Sequence, residues 1–281
     1  MARLIWQIQM ENHRIRTFIV ESFTDTPFKG NPAGVCIIGS QLGDEVMLQI
    51  AQELNLSETA FLSPLESDAF AIRYFSPKME IPLCGHATLA SAKVVFSILK
   101  LNEVNFMNIQ NLDLFAEQSN GQIVMEFPIY EMRPADAPPA LLAALGIEAI
   151  KNSVYNEETK ILLLEIGNPE ELANLDPDFT ALLRSHNSIN GVLVTAPSAG
   201  DSYDFHSRYF WPWSGTNEDP VTGGTHTFLA KYWASRLGKT KMKSFQSSKR
   251  TGFMEVELVA DKLRIHGQAV IVFEGRLALR T

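Results

Sequence analysis

Residues 80–88 read EIPLCGHAT and set Cys84, Gly85 and His86 side by side. A thiol, a permissive backbone and an imidazole could do three kinds of chemistry: thiol-based proton transfer, half of a metal site, or capture of an anion at a turn. A second segment, EDPVTGGTH at 218–226, repeats the Glu, Pro and Gly skeleton and has Thr222 where the first has Cys84. A racemase working with paired thiols would therefore lack one of its sulfurs. The other cysteine, Cys36, lies in the apolar run Val35-Cys36-Ile37-Ile38. A free cysteine there is a small core residue, and both cysteines are read as packing. A zinc site needs three or four clustered donors. Cys84 and His86 are two, with no second Cys/His cluster near them in sequence, so no metal is expected.

Each segment leads into an apolar stretch of helical length. The first turn of a helix leaves backbone N–H groups without internal partners, at the positive end of the dipole. Glycine lets a ligand approach that backbone closely. Gly85 in the first segment and Gly223, Gly224 and Thr225 in the second are therefore candidate anion-binding residues, suited to a carboxylate or a phosphate. The plainer alternative is that these glycines only allow tight strand-to-helix turns. His86 is a candidate proton shuttle, and the positive helix end is expected to lower its pKa and keep the ring neutral. Asp219, just before Pro220, is a candidate partner from the second segment, or a turn former, a common role for aspartate.

The elements that position these residues read as two similar halves. Gly30-Asn31-Pro32 recurs as Gly167-Asn168-Pro169, Arg73-Tyr74-Phe75 as Arg208-Tyr209-Phe210, and Glu80-x-Pro82-x-x-Gly85 as Glu218-x-Pro220-x-x-Gly223. The offsets are 137, 135 and 138 residues, near half the chain, and the order is kept. Internal duplication follows. The boundary is expected in PIYEMRPADAPP at 128–139, rich in proline and polar residues. The expected domains are 1–128 and 129–281, with the last strand or two packing back on the first half. Strands are expected over 15–23, 34–38, 60–62, 69–75, 123–127, 161–165, 191–195, 254–259, 263–267 and 269–274. An amphipathic helix is expected over 44–54 with Asp44 as N-cap. The stretches 87–99 and 225–237 read as buried helices, the first apolar on nearly every side. The fold class is α+β: two duplicated domains, each a curved, mostly antiparallel sheet wrapped round a buried central helix. Ligands favour the cleft between such domains.

Composition narrows the partners. The chain has 281 residues, 46% hydrophobic and 20% charged, as in a soluble globular protein. A formal charge of −8 gives nucleic acid or an anionic membrane no electrostatic support. No apolar run approaches the about 20 residues that span a bilayer. The start, MARLIWQIQMENHR, lacks the apolar core and cleavage site of a signal peptide. Two distant cysteines are not a secreted disulfide framework, and a cytoplasmic location is expected.

Four pieces in order carry a resemblance: PFKGNPAGV (27–35), LSETAFL (56–62), RYFSPKMEIPLCGHAT (73–88) and EDPVTGG (218–224). With them the chain, from about Arg14 to its end, resembles the PhzF-like family, named for a phenazine-biosynthesis isomerase, within the diaminopimelate epimerase-like fold. The resemblance implies a cofactor-free, metal-free isomerase or epimerase that moves a proton between carbons of a small carboxylic acid. It implies Glu58 as the main acid/base, with His86 and Asp219 as further catalytic residues and Asn31 and Ser57 among those that hold the substrate. It also implies a homodimer. Glu58 needs a raised pKa to act as base and acid near neutrality, and partial burial can raise it. In the second half INGVLVTAP stands in place of SETAFLSP, with Gly191 near the place of Glu58. The family usually has Ser after the glycine of EDPVTG, where this chain has Gly224. Either Thr225 supplies the hydroxyl or the backbone N–H groups act alone. Glu21 stands where the family commonly has Asp, and residues 1–13 extend beyond the usual start as a tail. The alternative function is an inert small-acid-binding or scaffold protein that kept the fold.

Overall fold

The computed structural model describes residues 14–39, 42–65, 69–200 and 202–279. The tail expected over residues 1–13 lies outside them. The described residues form two compact units, one of those up to residue 126 together with those from 266 on, and one of those from 127 to 265.

The first unit runs β1 (Arg14–Ser22), β2 (Asn31–Ile37), α1 (Asp44–Leu54), β3 (Glu58–Pro64), β4 (Phe70–Phe75), β5 (Glu80–Ile81), α2 (Gly85–Leu99), β6 (Glu103–Met107), β7 (Asp113–Ser119) and β8 (Gln122–Pro128). In the second follow β9 (Arg133–Pro134), α3 (Pro139–Leu145), β10 (Asn152–Asn156), β11 (Ile161–Glu165), α4 (Pro169–Ala173), α5 (Phe179–Ser185), β12 (Gly191–Pro197), β13 (Phe205–Trp211), β14 (Thr216–Asp219), α6 (His226–Leu237), β15 (Lys241–Gln246), β16 (Gly252–Val259) and β17 (Lys262–Gly267). The last strand, β18 (Ala269–Ala278), belongs to the first unit and pairs antiparallel with β1 along its length.

Strand pairing repeats between the units. In the first, β1–β2 is antiparallel, β2–β3 parallel, β3–β4 antiparallel, β4–β6 parallel and β6–β7 antiparallel, with β5 antiparallel on β4. In the second the same sequence of pairings joins β10–β11, β11–β12, β12–β13, β13–β15 and β15–β16, with β14 on β13. The register agrees to the residue. Arg73 faces Phe61, the fourth residue of β3, and Arg208 faces Val194, the fourth of β12. Gly191 therefore holds the place of Glu58, and Asp219 that of Ile81.

One match in the sequence is not a structural equivalence. Asn31 opens strand β2, whereas Asn168 is the N-cap of α4, its side chain accepting from the Glu170 amide at 2.8 Å. Gly-Asn-Pro suits any turn that needs a cap or a fixed φ, so it recurs without common descent. Gly30 has φ +69, and a Cβ there would meet the Ser22 carbonyl oxygen at 2.2 Å, so only glycine fits. Other differences are local. Gly43, not Asp44, is the N-cap of α1, with Asp44 in the first turn. The proline-rich stretch 128–139 holds the short strand β9 and runs into α3 at Pro139, where proline suits the first helical turn.

The helix α2 is buried because its sequence leaves almost no polar face, whereas α6 is buried over its first turns and exposes Ser235 and Arg236 in its last. Of the 15 residues of α2, 11 are buried, and the helix packs on β1, β2, β3, β6, β7 and β18. Full burial of a residue such as Leu89, Val95 or Phe96 contributes roughly 1.5–3 kcal/mol. The helix stops at Lys100 in the left-handed conformation, whose amide returns to the Phe96 carbonyl at 3.0 Å. In α6 the ring of Trp233 stacks on Phe205 at 5.6 Å and donates its Nε1–H to Thr195 Oγ1 at 2.9 Å. Trp213 packs on the core of the second unit and donates to the His186 carbonyl at 2.8 Å.

Candidate active site

In the first unit β3 begins at Glu58 and α2 begins at Gly85, and their first residues converge. His86 Nε2 lies 3.1 Å from Glu58 Oε2, an ion-pair distance without the alignment of a hydrogen bond. Ser57 Oγ stands 3.4 Å from the same ring nitrogen and 3.4 Å from the Pro32 carbonyl, at the start of β2 where Asn31 is fully buried. Cys84, the N-cap of α2, places Sγ 3.4 Å from His86 Nδ1. The His86 carbonyl accepts from Ser22 Oγ at 2.7 Å, which ties the helix start to β1. Thr88 Oγ1 bonds the Cys84 carbonyl and Tyr74 Oη, so the first turn is held on two sides.

Glu58, His86 and Cys84 are 8%, 9% and 8% exposed, so their charges interact with little screening. Burial pushes the Glu58 carboxyl up, but the His86 ring, with Ser57 and the Cys84 thiol, outweighs it and holds the group below its usual range. Burial likewise opposes charge on His86, yet Cys84 and Glu58 raise the ring well above its usual value. Burial raises the Cys84 thiol, so at neutral pH the carboxylate is what faces the imidazolium. Two expectations are thus corrected. Glu58 is held low and His86 high, because His86, with Ser57 and Cys84, outweighs burial at the carboxyl, and Cys84, with Glu58, outweighs burial at the ring. Cys84, read as packing, is the third member of the cluster, whereas Cys36 is a core thiol that burial pushes up to about 12. Sequence spacing alone does not bring Glu58 to the other two; the parallel pairing of β2 with β3 does.

In the second unit Asp219 closes β14 and accepts a short hydrogen bond at Oδ2 from Thr222 Oγ1. Gln246 bridges the same turn, donating to the Asp219 carbonyl at 2.7 Å and accepting from the Thr222 amide at 2.9 Å. Gly223, Gly224 and Thr225 form the turn that enters α6. Thr225 is 1% exposed and its hydroxyl donates to the Thr222 carbonyl at 3.1 Å. A Cβ on Gly224 would meet nothing within 4 Å, so packing does not demand glycine where the family usually carries Ser. His226, which the sequence passed over, bridges Thr222 O at 3.0 Å and Ser244 Oγ at 2.8 Å. Burial lowers it to about 4, a neutral structural histidine.

A family model described as phenazine biosynthesis-like protein matches residues 20–275. The chain belongs to the phenazine biosynthesis-like family. A phenazine biosynthesis-like domain-containing protein of Rattus norvegicus is 38% identical, covering 94% of this chain and 99% of the relative. An uncharacterized isomerase of Pseudomonas aeruginosa is 40% identical over 93% of this chain and 98% of its own. A crystal structure of a PhzF-family protein of Enterococcus faecalis superposes with a TM-score of 0.88 at 36% identity, over 95% of this chain and 100% of that one. The duplicated architecture is that of PhzF and epimerase-like proteins. Within this phenazine biosynthesis-like chain the sequence signal for Glu58, His86 and Asp219 was their motifs. For Cys84 as a neighbour of the pair the only signal was its place two residues before His86.

Proposed function

We propose that this phenazine biosynthesis-like chain is an isomerase that moves a proton between carbons of a small carboxylic acid without a cofactor. The buried Glu58–His86 pair, 3.1 Å apart, carries the reading. Glu58 is the base: its carboxylate takes a proton from a carbon made acidic by a neighbouring carboxylate or double bond. The electron pair left behind shifts the double bond, and Glu58, now a carboxylic acid, returns the proton to a different carbon of the same molecule. No electrons leave the substrate. His86 as imidazolium holds Glu58 ionised before the transfer and offers positive charge to the anion that develops. Asp219 is proposed as a further catalytic residue. In the first unit the Gly85 amide, with Asn31 and Ser57 beside Glu58, is proposed to bind an acid group, and in the second unit the turn of Gly223, Gly224 and Thr225 is proposed, taken by itself, as an anion-binding turn. The isomerase name of the Pseudomonas aeruginosa relative supports the reaction class.

Gly224, in the place of a usual hydroxyl, supports a second reading, an inert protein that binds small acids. Both are tested by incubating the chain in D2O with a panel of small carboxylic acids and recording deuterium at carbon by NMR. Incorporation that falls at least about 10²-fold in Glu58→Gln is expected for the isomerase. Exchange that persists in Glu58→Gln removes the role of Glu58. Thermal stabilisation by an acid with no exchange selects the binding protein.

A further inference from the structure

Tyr209 is 5% exposed, and its hydroxyl makes no hydrogen bond among the described residues. Its counterpart in the first unit, Tyr74, commits its hydroxyl to Thr88 Oγ1 at 2.6 Å. The two tyrosines share one register. Tyr74 faces Ala60 in β3 and Ile81 in β5, and Tyr209 faces Leu193 in β12 and Asp219 in β14. Their rings differ in what they fill. A Cβ at position 191 would lie 2.7 Å from Tyr209 Oη and 2.5 Å from its Cε2. The Tyr209 hydroxyl therefore takes the place that the Glu58 side chain holds in the first unit. There that place meets the helix start, with Glu58 and His86 3.1 Å apart. The residue matching His86 is Gly224, where a Cβ would meet nothing within 4 Å. One side of the second unit's centre is thus filled by a phenol and the other is open. Asp219 stands directly opposite Tyr209 in the ladder, so both side chains rise from one face of the sheet. Its Oδ2 accepts from Thr222 Oγ1, in the turn that enters α6. Burial, and then the Asp219 charge, push the Tyr209 phenol up, so it stays a donor.

We propose that Tyr209 is a specificity-determining residue of the second unit, which selects a hydroxy acid: its hydroxyl donates to a hydroxyl of the ligand, and that hydroxyl donates to Asp219. A hydroxyl is the group that both accepts and donates, as a phenol beside a carboxylate requires. An ammonium has no lone pair for the phenol proton, a second carboxylate would face the charge of Asp219, and a methyl group would leave both partners unpaired. The acid group of the same ligand lies at the turn of Gly223, Gly224 and Thr225. The assignment rests on reading that turn as an anion-binding turn, and not on proton transfer by Glu58. A site built to pair a hydroxyl rejects the analogue that lacks it.

The test is calorimetric titration of the full chain with matched acids, lactate against propionate and malate against succinate. In at least one pair the hydroxy acid should bind about tenfold or more tightly than its partner, and Tyr209→Phe should erase that preference by weakening the hydroxy acid alone. Urea unfolding without ligand gives a second reading. Tyr209→Phe should leave the midpoint where it is, because no hydrogen bond within the protein is lost, whereas Tyr74→Phe should lower it. Absence of binding by all four acids overturns the proposal together with the anion-binding turn. Equal affinity within both pairs, a preference that survives Tyr209→Phe, or tighter binding of the amino analogues alanine and aspartate than of lactate and malate overturns it alone. A midpoint that falls as far in Tyr209→Phe as in Tyr74→Phe makes the hydroxyl structural and overturns it too. Titration needs no turnover, so a hydroxyl preference stands whether or not deuterium exchange is found, and failure of the isomerase reading is seen separately.

Discussion

Glu58 and His86 hold each other's charge, and that makes them a stability element as well as a reactive one. The sign is fixed by the direction of each shift. Glu58 titrates lower folded than unfolded, so its contribution is present above its ordinary value of 4.5 and is lost as pH falls through the lower folded value. His86 titrates higher folded, so its contribution is present below its ordinary 6.5 and is lost as pH rises through the raised folded value. Both are complete between 4.5 and 6.5. Melting temperature measured against pH should therefore show the widest gap between wild type and the double variant Glu58→Gln, His86→Gln inside that window. The gap should narrow on both sides, at about 2–4 °C per kcal/mol for a chain of this size. A gap constant with pH would mean that the resting pair is not ionised.

At the scale of elements, the candidate residues sit at ends: Glu58 opens β3, Gly85 and His86 open α2, and Asp219 closes β14, where side chains and amides are least committed to the ladder. Glycine has different reasons at two equivalent-looking places. A Cβ on Gly191, first in β12, would lie 2.5 Å from the ring of Tyr209, which is buried between strands. Gly224 has open space around its Cβ. Gly191→Ala should cost about 1–3 kcal/mol in urea unfolding by pushing that ring, and Gly224→Ala should change stability far less. Equal costs would deny that Tyr209 fills the place left by Gly191. Part of the architecture was readable: α2 followed from a stretch with almost no polar face and α1 from its amphipathic pattern, whereas the strands β6, β7, β10, β13 and β15 were not expected. Short β5, β9 and β14 were not readable, because two to four residues carry no period. Nor were α3 and α4, where proline at the first turn reads equally as a loop, or α5, which is only seven residues long. The Glu58–His86 approach needed a parallel strand pair that no local pattern encodes, and the directions of their pKa shifts depend on that approach.

Across the whole molecule the duplication conserves scaffold and divides chemistry. Glu58 and His86 of the first unit correspond to Gly191 and Gly224 of the second, while Asp219 corresponds to Ile81. What both units keep is a fork: Arg73 Nε and Nη2 on Glu80 at 2.7 and 2.6 Å, and Arg208 Nε and Nη2 on Glu218 at 2.7 and 2.9 Å. Each guanidinium also lies over the phenylalanine two residues on, Phe75 at 5.2 Å and Phe210 at 4.9 Å. The fork pins the strand that leads to each central helix, so it is kept where Glu58 and His86 are not. Its environment differs. The Arg208 side chain is 9% exposed and also donates to the carbonyls of Leu172, Ala173 and Leu175, whereas Arg73 is 27% exposed and its third partner, Asp44, is on the surface. Removing the buried cation strands both a carboxylate and three carbonyls. Arg208→Met should therefore cost about 3–5 kcal/mol, and Arg73→Met closer to 1 kcal/mol, because water reaches what it leaves behind. Urea unfolding followed by far-ultraviolet circular dichroism reads the difference, since both units contribute strands and helices to that signal. Equal losses would mean that the two forks act as surface pairs, and that carbonyl capture by Arg208 adds nothing to the fold.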